Sequence, residues 1–272
     1  MTALRVLGVH GVGNLQPGLE PPAAAERLAG WWSRALLKPG SFEPDRLDLT
    51  VAYYAHHLTK TVPQGQDDLD AADQDEVLTW ATLLGLPGET AQGQLARPAR
   101  AAVDWVARRF GLDTRLARAF AGLFFKEVGA YFTRPESRTS ALADVAGAIA
   151  RTEPQVIIAH SLGSVVGYET LWAHPHPPVD LLLTVGSPLA MPDVVYDRLQ
   201  VRPADRSRPP GVRRWINVSD PGDIVAVPRG GVARGFTGLD ADLTDAIHAF
   251  DFHRVAHYLS CGATQGILAA TL

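Results

Sequence analysis

The run Val156-Ile-Ile-Ala-His-Ser-Leu-Gly163 constrains this chain more than any other segment. Four consecutive apolar residues leave no polar face, so Val156–Ala159 is predicted to be a central parallel strand covered on both sides. Leu162–Ala173 then has a helical pattern, and the serine stands at the junction. A sharp strand-to-helix turn accepts only small neighbours, here Ala159 and Gly163. It points the Ser161 hydroxyl out at the carboxyl edge of a sheet, beside a helix N-terminus. Ala159-His-Ser-Leu-Gly163 departs from the pattern G-x-S-x-G only in its first residue. Chance can supply such a pentapeptide; the strand before it and the helix after it give it weight. The competing reading is a serine that only caps the helix, a task Ser164 would share.

The rest of the chain alternates in the same way. Leu4–Val9 is an apolar run ended by His10-Gly-Val-Gly-Asn14, and an Ala-rich amphipathic stretch runs from Pro21 to about Leu37. Leu47, Leu49, Val51 and Tyr53 alternate with polar residues, as in a half-buried strand near a sheet edge. Ser137 with Ala141, Leu142, Val145 and Ile149 reads as a capped helix. Leu181–Val185 and Val212–Val218 read as further strands, and a last amphipathic helix is expected from about Val255 to Ala270. The fold class that follows is α/β: one open, mostly parallel sheet with helices on both faces.

Between Thr59 and Pro135 no strand signal appears. An acidic stretch, Asp67 to Glu76, precedes helical patterns at Val77–Leu84, Ala99–Phe110 and Thr114–Phe132. A helical cap inserted at 59–135 within a single domain spanning 1–272 is the economical organisation, because a separate helical domain would need linkers on both sides. Phe120, Phe124, Phe125, Tyr131 and Phe132 crowd one part of it, as a lid over an apolar site or as ordinary core.

Composition narrows the classes of partner. A net charge of −4 and a pI of about 6.1 give no positive field to hold nucleic acid. No apolar run approaches the ~20 residues that cross a bilayer. Cys261 is the only cysteine, so no intramolecular disulfide forms, and the N-terminal residues lack the pattern of a signal peptide. The expectation is a cytoplasmic protein without a transmembrane anchor, its oligomeric state left open.

A serine nucleophile needs a base, an orienting acid and donors for the oxyanion. The first donor would be the amide of Leu162, and the second would come from the loop Gly11-Val12-Gly13, whose glycines permit close approach or merely a turn. In the chain order Ser, acid, His, the six histidines at 10, 56, 57, 160, 174 and 176 are excluded as base and read as structural or exposed. His248, His253 and His257 remain. The acid would follow the strand Val212–Val218, where Asp220 and Asp223 both stand; Asp220-Pro-Gly also fits an Asx-turn. His253 and His257, spaced i, i+4, would also suit a metal pair, but no third ligand accompanies them. His10, Gly13, His160, Phe124 and Phe125 are the candidates for touching substrate.

With these residues assembled, the chain resembles the lipase- and esterase-like branch of the α/β-hydrolase superfamily. The matching segments are Val9-His-Gly-Val-Gly-Asn14, Ala159-His-Ser-Leu-Gly163, Val185-Gly-Ser-Pro188, Gly222-Asp-Ile-Val-Ala-Val-Pro228 and Phe252-His-Arg-Val-Ala-His-Tyr-Leu259. The resemblance implies Asp223 as the acid, since it precedes an apolar residue, valine and proline, and His253 as the base, with Asp220 and His257 in reserve. It implies an esterase; the aromatic residues crowded in the inserted segment point to a small-molecule acyl substrate of apolar character, and the chemistry requires no metal or organic cofactor. The same machinery would also serve an acyltransferase or thioesterase, or an amidase or peptidase. A binding module that retains the fold is the non-catalytic alternative.

Overall fold

A computed structural model describes residues 3–59, 69–87, 98–247 and 253–271. Six strands, β1 (Leu4–Val9), β2 (Leu47–Ala52), β3 (Val156–His160), β4 (Val179–Val185), β5 (Val212–Ser219) and β6 (Ala241–Thr244), form one parallel sheet in the order β2-β1-β3-β4-β5-β6. The chain steps outward from β1 to β2 and then returns past β1 to β3. Strand order therefore reverses between β1 and β3, and a crevice opens at their carboxyl ends. The register sets Val9 beside Ala159 and His160 beside Val185, so the loops after β1 and β3 face each other.

The helices are α1 (Pro21–Leu37), α2 (Ala55–Leu58), α3 (Ala71–Leu83), α4 (Pro98–Phe110), α5 (Thr114–Thr133), α6 (Pro135–Thr152), α7 (Leu162–Ala173), α8 (Gly231–Gly235), α9 (Val255–Ser260) and α10 (Gly262–Ala269). Strand residues alternate between two cores, as their period of two requires. Leu7, Val9, Ile157, Ala159 and Leu182 pack under α3 to α7, whereas Val6, Val156, Ile158, Leu181 and Leu183 pack under α1, α9 and α10. On α1 the buried residues Ala24, Leu28, Trp32 and Leu36 recur every fourth position and make one apolar stripe. Phe124, Phe125 and Val128 of α5 share the first core with the sheet. Trp80 of α3 donates its indole N–H to the Ile224 carbonyl at 2.7 Å, tying the helical segment to the loop after β5.

Four local expectations change. α6 begins at Pro135, with Ser137 buried inside its first turn rather than capping it, because proline at the first helical position loses no hydrogen bond. The last helix is interrupted at Cys261, whose ψ of 157° is extended, and resumes at Gly262. Ala241–Thr244, not expected as a strand from the sequence, forms β6; a short edge strand with a polar, exposed pattern leaves little hydrophobic periodicity to detect. Ser161 occupies the N-cap position of α7 but makes no side-chain cap. His248 and parts of the 59–135 segment lie outside the described residues. Among the described residues no helix is long and apolar enough to cross a membrane.

Candidate active site

Ser161 makes the whole turn between β3 and α7, with φ 55° and ψ −132°. That backbone region is sparsely populated by residues with a Cβ and costs on the order of 1–3 kcal/mol. The Ser161 N–H donates to the Val185 carbonyl at 3.1 Å, which pins the turn to β4. Neighbouring glycines make room for it. A Cβ on Gly163 would stand 2.3 Å from the Val9 carbonyl oxygen and 2.4 Å from that of His10, and one on Gly11 would stand 2.4 Å from the Ser161 Cβ. Ser164 donates to the Ser161 carbonyl at 2.6 Å and pairs with the Ser187 hydroxyl at 2.6 Å.

The Ser161 Oγ lies 2.7 Å from His253 Nε2, and His253 Nδ1 lies 2.8 Å from Asp223 Oδ2. These side chains arrive on the loops after β3, β6 and β5, brought to one sheet edge by the parallel strands. A carboxylate only accepts, so Nδ1 carries the proton and Nε2 presents its lone pair to the serine hydroxyl. The Asp223 carboxylate is also held by the Val225 N–H on Oδ1 at 2.8 Å and by the Tyr258 hydroxyl on Oδ2 at 2.6 Å. Ser161 has no accessible surface, and Asp223 and His253 are only 4% and 8% exposed, so their electrostatic contacts are little screened.

Asp220 is used differently. Its Oδ1 accepts from the Gly222 N–H at 2.6 Å, its Oδ2 from the Ile247 N–H at 2.7 Å, and its own N–H donates to Tyr258 Oη at 3.0 Å. It closes an Asx-turn and fastens the loop, with no contact to either imidazole. His257, on α9, bonds neither Ser161 nor Asp223.

The loop after β1 is braced from beneath. Tyr54 donates its N–H to His10 Nε2 at 3.2 Å and its hydroxyl to the His10 carbonyl, while His10 Nδ1 donates to the Gly11 carbonyl at 2.9 Å. Burial keeps the His10 ring neutral and pushes its pKa down to about 4. Asn14 Nδ2 donates to the Gly11 and Val12 carbonyls at 2.9 and 3.0 Å. The Gly13 N–H is taken by the fully buried Glu127 carboxyl at 3.2 and 3.3 Å, and burial raises the pKa of that group to about 8. Gly13 is thereby committed as a donor. The Leu162 amide, first in α7, has no carbonyl one turn earlier to bond.

A cleft of about 460 Å³ opens beside the imidazole, lined in part by Val12, Gly13, Asn14, Trp31, His160 and His253. The His160 ring stands 4.8 Å from that of His253. Burial holds it well below its ordinary pKa; the His253 main chain lies close, yet neither ring nitrogen finds a partner in hydrogen-bond geometry among the described residues. Of the residues expected to touch substrate, Gly13 and His160 line this cleft, and His10, Phe124 and Phe125 do not. His10 is a brace inside the loop. Phe124 stacks on Phe120, and Phe125 meets Trp80 edge-on, both within the core, because their helix turns that face toward the sheet. Phe120 is the aromatic residue of α5 that reaches the imidazole of His253, edge-on at 5.4 Å.

Several contributing residues escape a reading of the sequence. Gly186, at φ 54°, lets three groups converge: a Cβ there would meet the Tyr258 ring at 2.8 Å, Asp223 Oδ2 at 3.0 Å and His253 Cε1 at 3.2 Å. Tyr258 and Tyr54 look like ordinary core aromatics. Glu127 left one usable signal, an acid inside the otherwise apolar stretch Phe120–Tyr131 that is broken only by its neighbour Lys126.

The fold class is thus α/β, an open all-parallel sheet whose carboxyl edge gathers a serine, a histidine and an aspartate in hydrogen-bond sequence. Comparison of the chain with family models, with curated proteins and with solved structures returned no match.

Proposed function

We propose that this protein is a serine hydrolase of the α/β-hydrolase type that cleaves a carboxylic ester. The observation that carries the reading is the bridge of one imidazole between the Ser161 hydroxyl and the Asp223 carboxylate, at 2.7 and 2.8 Å. The reversal of strand order beside the serine turn, the acid after β5 and the histidine after β6 favour the same superfamily reading.

In the first half-reaction His253 Nε2 takes the hydroxyl proton as Ser161 Oγ attacks the ester carbonyl carbon. The oxyanion is received by the Leu162 amide and by the Gly11-Val12 stretch of the loop after β1; one such donor contributes about 3 kcal/mol to the transition state. Collapse breaks the bond to the alcohol oxygen, which leaves with the proton from His253. Water, deprotonated by His253, then attacks the acyl-serine, and Ser161 recovers its proton as the acid departs. Asp223 keeps the imidazole oriented and stabilises its charged form. The mostly apolar cleft containing Trp31, Val12 and Leu259 favours an apolar acyl or alcohol group.

A fluorophosphonate probe together with a chain-length series of p-nitrophenyl esters tests the proposal. Labelling at Ser161 and turnover of at least one ester are expected; an unlabelled, inert wild-type protein would overturn it.

A further inference from the structure

The short helix α2 sets two consecutive histidines, His56 and His57, side by side with ring centroids 3.9 Å apart. Across from them α6 presents Asp144, whose Oδ2 lies 2.8 Å from His57 Nε2 and 3.9 Å from His56 Nε2. We propose that His56, His57 and Asp144 form a binding site for a divalent transition-metal ion of the zinc class.

One donor atom from each residue lies within 4.8 Å of the other two. A tetrahedral ion with bonds of about 2.0–2.1 Å keeps its ligand atoms about 3.3 Å apart. The two separations to Asp144, 2.8 and 3.9 Å, bracket that distance, and the two histidine ligand atoms lie within 4.8 Å of each other. Two imidazoles and a carboxylate suit zinc and its neighbours, whereas magnesium and calcium take oxygen ligands.

Three protein ligands leave the fourth position of a tetrahedral ion to water or to an incoming oxygen. Both histidines line a hollow of about 520 Å³ that also contains Lys126, Arg134, Glu136, Ser137 and Ser140. Two cations and two hydroxyls against the single carboxylate of Glu136 favour an anionic oxygen in that position. The site is separate from the Ser161 hydroxyl, but it is linked to the loop after β1 through Tyr53, whose ring stacks on His56 at 5.4 Å and lies 5.6 Å from His10.

The test is metal binding by the full chain after stripping with a chelator. Calorimetric titration with Zn2+ is expected to show one ion per chain, and Co2+ to give the intense visible bands of a four-coordinate ion. Asp144→Asn and His57→Gln are each expected to weaken Zn2+ binding at least about tenfold, while His174→Gln leaves it unchanged. Asp144 is 42% exposed, so its isosteric amide keeps the fold available for measurement. Failure of the wild type to bind Zn2+, a six-coordinate cobalt spectrum, or undiminished binding by both site variants would each overturn the proposal. None of these readouts depends on ester hydrolysis.

Discussion

Tyr258 donates its hydroxyl to the same carboxylate oxygen of Asp223 that His253 Nδ1 reaches, at 2.6 Å beside 2.8 Å. The acid is therefore fixed by two donors on one oxygen and by a backbone N–H on the other, and the imidazole has one orientation open to it. Tyr258 also accepts the Asp220 N–H, so a single phenol joins the loop that carries Asp223 to the helix that follows His253. Tyr258→Phe is expected to leave buried polar groups unpaired at about 1–3 kcal/mol. If about 1.4 kcal/mol of that falls on the transition state, kcat drops roughly tenfold. Thermal unfolding and ester kinetics on the same variant check both; a kcat equal to wild type would show that the phenol only supports the fold.

Ser161→Ala and His253→Ala are each expected to lower kcat on the order of a million-fold while the fold persists. His257→Ala is expected to retain turnover, since that ring touches neither the serine nor the acid. Parallel ester assays of the three variants check this, and loss of turnover with His257→Ala would move the base.

Gly186→Ala places a methyl group against Asp223, His253 and Tyr258 at a φ of 54°. Loss of kcat with retained folding is expected, because the methyl must displace the imidazole or the phenol rather than backbone. Gly163→Ala meets two backbone carbonyl oxygens instead, so it is expected to reduce stability first, by about 1–3 kcal/mol or more. Melting temperatures beside activities separate the two outcomes.

Glu127 gives stability a dependence of definite sign on pH. Burial raises its pKa from the ordinary 4.5 to about 8, so between those values the folded chain holds a proton that the unfolded chain has released. Stability attributable to this group is full below 4.5 and is lost as pH rises toward 8. Glu127→Gln keeps an acceptor for the Gly13 N–H and removes the titration. The variant is therefore expected to gain on the wild type as pH rises through this window, which denaturant unfolding across a pH series measures.

His10 acts at the other end of the range. Its pKa falls from 6.5 to about 4 on burial, so between these values the unfolded chain binds the extra proton and stability declines as pH falls. His160 is shifted in the same direction by its own burial. His10→Asn is expected to flatten the acid limb of the stability curve even where it lowers overall stability, and an unchanged slope would remove His10 as a source of acid sensitivity.

The sequence by itself determined the strand-turn-helix around Ser161, the alternation that makes an α/β sheet and the glycine loop after the first strand. In each, the signal is local: an unbroken apolar run, a period of 3.6 or 2, or a small residue where a turn is tight. Order along the chain reduced the acid to Asp220 or Asp223 and the base to three histidines, and only a family resemblance chose among them. The tertiary structure decided which side chains meet, because strands distant in sequence set the separation of their loops. It is packing that leaves Asp220 fastening a turn while Asp223 turns inward, and that makes His10 a brace inside the loop after β1. Gly186, Tyr258 and Glu127 owe their importance wholly to neighbours 35 to 114 residues away, as the Tyr258–Asp223 and Glu127–Gly13 bonds show. Local pattern carries no record of such distant contacts, and the edge strand β6 was hidden because, short and polar, it shows little hydrophobic periodicity.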